Sequence, residues 1–184
     1  MESNKNLVDK IMMSVSIVGK SNFYLSSTEL DSRSNMVVIV KQAFVFRHIG
    51  QYANVQDFSK KVKGLLQFPT VDSVIAYYCT SSGETYLLVV INSLCVPTID
   101  INLIPPFVFR EAGLILNDTP KIYCKYPSAE HRYLFDEEIG PRIQFTLNGT
   151  LSIFETSHLT KDEIEDAENY PTIFLTTDSN RWGT

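Results

Sequence analysis

The stretch from Val71 to Ile91, VDSVIAYYCTSSGETYLLVVI, decides the fold class. It holds two apolar runs rich in β-branched and aromatic residues, Val71–Tyr78 and Thr85–Ile91, on either side of the polar sequence CTSSGE. Such residues suit strands, and a short polar connection that contains glycine is typical of a hairpin loop. The stretch therefore predicts two antiparallel strands. Because both runs are almost continuously apolar, we expect both of their faces to be buried.

The composition extends this prediction to the whole chain of 184 residues. The 15 valines, 16 isoleucines and 14 threonines far outnumber the 6 alanines. Alanine is the best helix former, whereas β-branched residues favour strands. Hydrophobic residues make up 44% of the chain, which is typical of a folded domain. We therefore predict a mainly β protein.

Local signals predict two elements in the first two thirds of the chain. Met36–Val40 is a continuous apolar run and predicts another buried strand. Phe107–Ala112 follows two prolines and precedes Gly113, so it predicts one short helix with a glycine stop.

The last third of the chain differs in charge. Residues 121–184 carry six basic and eleven acidic side chains, whereas residues 1–120 carry ten of each. Asn148–Gly149 is a strong hairpin signal, and Thr160 followed by Glu163 is a capping box that opens an acidic helix. We therefore expect a separate C-terminal extension that contains strands and an acidic helix. The predicted divisions are an N-terminal segment at 1–20, a main domain at 21–118 and an acidic extension at 119–184.

Charge and hydropathy exclude several function classes. The net charge is −5 and no basic face is evident, so no direct nucleic-acid partner is expected. No apolar run approaches the eighteen or so residues that span a bilayer, and no secretory signal is recognisable. A cytoplasmic protein without a membrane partner is the expectation.

The metal-binding residue types are scattered. The three cysteines, Cys79, Cys95 and Cys124, are far apart and include no C-x-x-C pair, and the three histidines are isolated from one another. Paired spacing is what structural zinc sites and disulfide frameworks require. No metal and no cofactor are therefore expected.

The candidate for chemistry is the sequence Leu30–Ser34, LDSRS, an Asp–Ser pair between two apolar segments. Aspartic peptidases hold an aspartate on such a strand–turn elbow, where two carboxylates share one proton and together activate a water. Asp–Ser is also an ordinary turn pair, because both side chains bond to nearby backbone groups.

A second half of the pattern lies about seventy residues later. Leu94–Pro97, Asn102–Ile104 and the predicted helix that ends at Gly113 follow one another. Together with the elbow, this sequence resembles the retropepsin-like protease region of copia-type long-terminal-repeat retrotransposon polyproteins, in particular those of diatoms and other protists. The resemblance covers about residues 21–118.

The resemblance implies a retropepsin-like aspartic peptidase domain, with a closed, mostly antiparallel β fold and one short helix over residues 21–118. Such a domain acts on a peptide or polyprotein substrate. Asp31 and Ser32 would be the catalytic elbow, continued by Arg33 and Ser34, and Asn102, Leu103 and Ile104 would back it. Because the chain has only one such elbow, the resemblance implies a homodimer with one Asp31 from each copy.

The chain departs from the family at two glycines. Arg33 stands where family members have a glycine next to the Asp–Ser pair, and Pro105 follows Ile104 where a second glycine is usual. Arg33 would bring two cations and two Cβ atoms close to the dyad of a dimer. Three hypotheses stay open: an active peptidase, a catalytically silent dimerisation or interaction module, and an unrelated β-rich binding protein. Contact between the elbow and Asn102–Gly113 would argue against the third.

Overall fold

The computed structural model describes residues 25–40, 43–55, 66–119, 123, 125, 132–135 and 142–176. Within these ranges the chain is mainly β, as predicted, with two short α-helices. The strands are β1 (Leu25–Leu30), β2 (Val38–Ile39), β3 (Phe44–Val55), β4 (Leu66–Cys79), β5 (Glu84–Cys95), β6 (Ile101–Ile104), β7 (Ile115–Asn117), β8 (Tyr133–Phe135), β9 (Arg142–Gln144), β10 (Thr146–Asn148), β11 (Leu151–Ser157) and β12 (Thr172–Thr176). The helices are α1 (Pro106–Glu111) and α2 (Lys161–Glu165), and a 3-10 turn follows at Ala167–Asn169.

The predicted central hairpin is confirmed as β4 and β5. These strands pair antiparallel from Thr70 opposite Leu94 to Cys79 opposite Glu84. Their apolar runs are buried on both faces, as expected, with the exception of Tyr78, whose side chain is exposed near the turn. The hairpin provides the middle of the sheet and much of the hydrophobic core.

The main sheet closes on itself. Its strands follow the order β11, β1, β6, β2, β5 and β4, and β11 meets β4 again where Ser157 pairs with Ala76. The strand β3 extends the sheet beside β4, β10 pairs with β11, and β12 pairs with β5. A small second sheet consists of β7, β8 and β9. The sheet therefore closes, but it closes through β11 and not within residues 21–118 as expected, and several of its pairings are parallel.

The run Met36–Val40 forms less strand than predicted. Only Val38–Ile39 is a strand, which lies antiparallel to β6 and parallel to β5. Val37, Ile39 and Val40 are nevertheless fully buried. The apolar run thus marks core burial correctly, but its ends bend away from the sheet.

The helix and turn predictions are confirmed. α1 spans Pro106–Glu111, and Gly113 beyond its end has a φ of +86°, a conformation that glycine adopts without strain. The Thr160 hydroxyl accepts a hydrogen bond from the backbone N–H of Glu163 at 3.2 Å, and the Glu163 carboxylate accepts one from the Thr160 N–H at 2.7 Å, which completes the capping box. The predicted hairpin between β10 and β11 is present, but its turn is Gly149–Thr150, one residue later than expected, because Asn148 still pairs with Leu151.

The strands β10, β11 and β12 of the acidic region are part of the main sheet, which corrects the expectation of a separate extension. β11 pairs with β1 from Leu25 opposite Ser157 to Glu29 opposite Ile153, and β12 runs parallel to β5. Phe154, Ile173 and Leu175 belong to the same core cluster as Leu30. The acidic excess does not mark a boundary, because the strands of this region bury apolar side chains while α2 exposes most of its acidic ones.

The predicted N-terminal segment 1–20 lies outside the described residues, as does Cys124. Cys79 is buried and Cys95 is half-buried, and both are free thiols. In the part of the chain that the structure describes, neither helix is long and apolar enough to cross a membrane.

Candidate functional site

The elbow lies at the end of β1, directly beside β6. The two strands run parallel, with Ser27 opposite Ile101 and Leu30 opposite Ile104. The backbone N–H of Asp31 then donates a hydrogen bond to the carbonyl oxygen of Ile104 at 3.2 Å. The expected contact between the elbow and the segment Asn102–Ile104 is therefore confirmed. β6 lies between β1 and β2, so the elbow from Asp31 to Val37 crosses the end of β6.

The elbow is held by hydrogen bonds of its own backbone. The Asp31 carboxylate oxygen Oδ1 accepts a hydrogen bond from the Arg33 N–H at 2.9 Å, and the Asp31 carbonyl accepts one from the Ser34 N–H at 3.3 Å. These contacts make an Asx turn of the kind that aspartate commonly forms. The Asp31 side chain is half-buried, so one of its faces is open to a ligand or to a second protein.

The hydroxyl of Ser34 bonds to the elbow backbone. The Asp–Ser pair had suggested that the hydroxyl of Ser32 would do so. The Ser34 hydroxyl donates to the carbonyl oxygen of Met36 and accepts from the Met36 N–H at 3.4 Å. Ser32 is exposed at the tip of the turn. Among the described residues, the hydroxyl that fixes the elbow is therefore that of Ser34.

Arg33 is exposed at the tip of the elbow, and its backbone is not strained. Asn92 is the one non-glycine residue with positive φ in the described part of the chain. The glycine that the resemblance leads one to expect at position 33 is therefore not required here for its backbone conformation. Pro105 likewise has a φ of −62°, which suits proline and ends β6 before α1 begins. If Arg33 affects what the elbow can bind or catalyse, it does so through the charge and the size of its side chain.

Asn102 connects the strands behind the elbow. Its side chain is fully buried, and its carbonyl oxygen accepts a hydrogen bond from the backbone N–H of Val40 at 3.0 Å. Its amide nitrogen donates to the hydroxyl of Thr28 at 3.2 Å, and that hydroxyl bonds to Thr156 at 2.9 Å. One amide thus links β1, β6, β11 and the end of β2. Buried polar groups that are satisfied in this way favour a unique strand arrangement.

Leu103 and Ile104 face opposite sides of β6. Ile104 is fully buried in the core cluster, whereas Leu103 is half-buried on the outer face of the sheet. Of the three predicted backing residues, Asn102 and Ile104 support the elbow from behind. Leu103 lies on the face that Asp31 also borders.

Glu29 is a residue of this site that sequence reasoning missed. It precedes Asp31 by two positions, and alternate residues of a strand share a face. On the outer face of the sheet it lies opposite Leu103 of β6 and Ile153 of β11. Burial raises the pKa of the Glu29 carboxyl, and the nearby charge of Asp31 raises it further. The alternation of Thr28, Glu29, Leu30 and Asp31 is visible in the sequence, but the two hydrophobic neighbours depend on strand register.

The raised pKa of Glu29 predicts how a neutral replacement changes stability. A carboxyl whose pKa is raised by folding contributes stability below its unfolded pKa, and this contribution is lost as the pH rises through the folded pKa. Glu29→Gln should therefore raise the melting temperature at pH 7 by about 1–2 °C and change it little at pH 3. Thermal unfolding at the two pH values tests this, with the exposed Glu155→Gln as the control. An equal effect at both pH values would contradict it.

A second buried carboxylate, Asp72, has a structural environment. Its side chain is fully buried and bonds to the Arg47 guanidinium, and it accepts a hydrogen bond from the backbone N–H of Asn92 at 2.9 Å. Asn92 has a φ of +59°, and the ladder between β4 and β5 is irregular nearby. Asp72 therefore stabilises a bulge in the sheet and lies apart from the elbow.

Asp31 is the acidic residue of the elbow, and its side chain is half-buried. Within the described residues, no group of three or more histidine, cysteine, aspartate or glutamate side chains could hold a metal ion. Comparison with family models, with curated proteins and with solved structures found no match for this chain. What the site can do therefore rests on its geometry and on the residues that form it.

Proposed function

We propose that this chain is the aspartic-peptidase-like domain of a retrotransposon polyprotein, and that two Asp31 carboxylates hydrolyse peptide bonds in a homodimer. The observation that carries the proposal is the position of Asp31. It lies on an elbow between β1 and β2, and its backbone is bonded to β6, which lies between those strands. This arrangement also argues against the hypothesis that the Asp–Ser pair is an unrelated turn.

Hydrolysis needs a second carboxylate. In a dyad, one ionised carboxylate removes a proton from a water molecule, whose oxygen attacks the peptide carbonyl carbon. The other carboxylic acid donates its proton to the carbonyl oxygen. Collapse of the tetrahedral intermediate then breaks the C–N bond. The carboxyl that took the proton from water donates it to the leaving nitrogen, and the other carboxylate takes a proton back from a hydroxyl of the intermediate, which leaves a carboxylic acid, an amine and a dyad with one proton. The half-exposed Asp31 at the end of β1 can meet its symmetry mate, because a two-fold axis brings the same surface of each copy together.

We further propose that Arg33 keeps the activity of the natural chain low. The dyad requires one shared proton, and cations at the tips of both elbows favour two ionised carboxylates instead. The substrate would be a peptide or polyprotein segment in the cytoplasm, and neither a metal nor a cofactor takes part in the proposed reaction.

The test of this function is whether cleavage depends on Asp31 in a dimer. We expect full-length Arg33→Gly protein to sediment with twice the mass of one chain and to cleave a peptide library at acidic pH, with inhibition by pepstatin. Adding Asp31→Asn should reduce the cleavage rate at least about 100-fold, since acid–base groups contribute about that much. Asp100→Asn, which neutralises another exposed aspartate beside β6, is the matched control and should keep the rate.

The exposed cation of Arg33 also favours a second candidate, a catalytically silent dimerisation or interaction module. A dimer that cleaves nothing, either as the natural chain or with the Arg33→Gly substitution, would support this alternative. A monomer without cleavage would instead support an unrelated β-rich binding protein. Cleavage that survives Asp31→Asn would assign the chemistry to other residues.

A further inference from the structure

The hairpin of β10 and β11 contains an asparagine that is directly followed by glycine. Asn148 is the last residue of β10, and Gly149 and Thr150 form the turn. All three residues are exposed to solvent. The side-chain amide of Asn148 is therefore accessible both to water and to the backbone that follows it.

The backbone nitrogen of Gly149 is a suitable nucleophile for this amide. Gly149 has a φ of +63°, and nothing lies within 4 Å of the place where a Cβ atom would be. Its N–H donates to no other backbone group in the described part of the chain. Glycine has no side chain that hinders approach to its nitrogen, and an attack within one chain needs no encounter of two molecules. The pair is thus sterically open to cyclisation.

The strand that holds Asn148 offers it little protection. For the attack, Asn148 must rotate out of the extended backbone conformation in which it pairs with Leu151. β10 has three residues, all of them exposed, and it lies at the edge of the sheet beside β11. Short exposed segments with few buried apolar contacts open locally at a low free-energy cost. The folded chain can therefore reach the geometry that the attack requires.

We infer that Asn148 is a site of spontaneous deamidation. The Gly149 nitrogen loses its proton and attacks Cγ of Asn148, so that a new C–N bond forms. The bond between Cγ and Nδ2 breaks, and ammonia leaves with the proton. Water then opens the cyclic imide at either of its carbonyl groups, which yields aspartate or isoaspartate without an oxidant or a reductant. The inference does not depend on hydrolysis at Asp31.

The modification changes both the charge and the backbone of the hairpin. Each product carries a carboxylate, which makes the net charge of −5 more negative. Isoaspartate also lengthens the backbone by a methylene group, so the pairing of position 148 with Leu151 cannot keep its register. β11 pairs with β1 as far as Ile153 opposite Glu29, so the hairpin lies at the end of the sheet where the elbow begins. The new charge therefore appears at the same end of the sheet as Asp31.

The experiment follows the masses of tryptic peptides while the full-length protein is incubated at neutral and at alkaline pH. Peptide 143–161 contains Asn148 as its one asparagine. Peptide 48–60 contains Asn54, which is also exposed but precedes the β-branched Val55. We expect peptide 143–161 to gain the mass of an amide-to-acid exchange several-fold faster than peptide 48–60, and faster at alkaline pH. An isoaspartyl methyltransferase should methylate the product.

Three variants separate the Asn–Gly pair from the rest of the hairpin. Gly149→Ala adds a side chain beside the nucleophile and should slow the mass gain several-fold. Thr150→Ala keeps the pair intact and should gain mass like the natural chain. Asn148→Gln should abolish the gain in this peptide, because the longer side chain cyclises poorly. Circular dichroism establishes that each variant is folded.

The outcomes decide the inference directly. A selective mass gain in peptide 143–161 that is lost in Asn148→Gln would support it. Equal rates for the two peptides, no mass gain in either, or a gain that persists in Asn148→Gln would overturn it.

Discussion

Replacing Arg33 with glycine is expected to raise peptide cleavage by about tenfold over the natural chain. The expectation follows from the charge of Arg33 and not from its backbone, because φ at position 33 is not positive. Arg33 lies exposed at the tip of the elbow, and its N–H bonds to the Asp31 carboxylate. In a dimer both copies would bring this cation close to the pair of aspartates.

The size of the effect can be estimated from what exposed charges contribute at a protein surface. Such a charge contributes about 0.7 kcal/mol, or about threefold, because water screens it. Two elbows in a dimer would therefore change the cleavage rate by about tenfold. Removing the side chain also opens space for the peptide backbone.

Two further substitutions separate charge from size. Arg33→Gln removes the cation and keeps a long side chain, whereas Arg33→Lys keeps the cation. If charge dominates, Arg33→Gln should recover most of the gain and Arg33→Lys almost none, as measured by initial rates on one fluorogenic peptide. Robust cleavage by the natural chain would show that the elbow tolerates Arg33 and would contradict this prediction.

The elements predicted correctly are those with local causes. The hairpin at Val71–Ile91 follows from β-branched runs around a glycine turn, and the α2 helix follows from a capping box that involves only Thr160 and Glu163. The elbow was found because Asp31 and Ser32 are adjacent in sequence. Its contact with Ile104 was expected only from the resemblance, since pairing over such a distance leaves no local signal.

The features that were missed depend on strand register. The partial burial of Glu29, which raises its pKa, depends on its position opposite Leu103 and Ile153. These two residues lie 74 and 124 positions away in the sequence. The expected boundary near residue 120 was drawn from charge, which describes surfaces. It failed because Phe154 and Leu175, in the acidic region, are buried in the common core.

Deleting residues 121–184 is expected to abolish cooperative folding of the remaining chain. The deletion removes β11, the antiparallel neighbour of β1, and β12, the parallel neighbour of β5. It also removes Phe154, Ile173 and Leu175 from the core. Losing three large buried side chains at about 3 kcal/mol each costs about 9 kcal/mol, which is comparable with the whole stability of an ordinary domain. Circular dichroism should show no sigmoidal thermal transition.

A point substitution tests the same connection in the full-length chain. Phe154 is buried, and its ring lies 6.0 Å from that of Tyr77, 6.4 Å from that of Phe109 and 5.8 Å from that of Phe145, measured between centroids. Phe154→Ala should lower the stability by about 3–5 kcal/mol and the melting temperature by about 10 °C, because it opens a cavity where β11 packs on β4 and α1. Leu151→Ala, on the same strand but exposed, should change stability by less than about 0.5 kcal/mol. A truncated chain that melts cooperatively, or a Phe154→Ala protein as stable as Leu151→Ala, would restore the boundary that the charge distribution suggested.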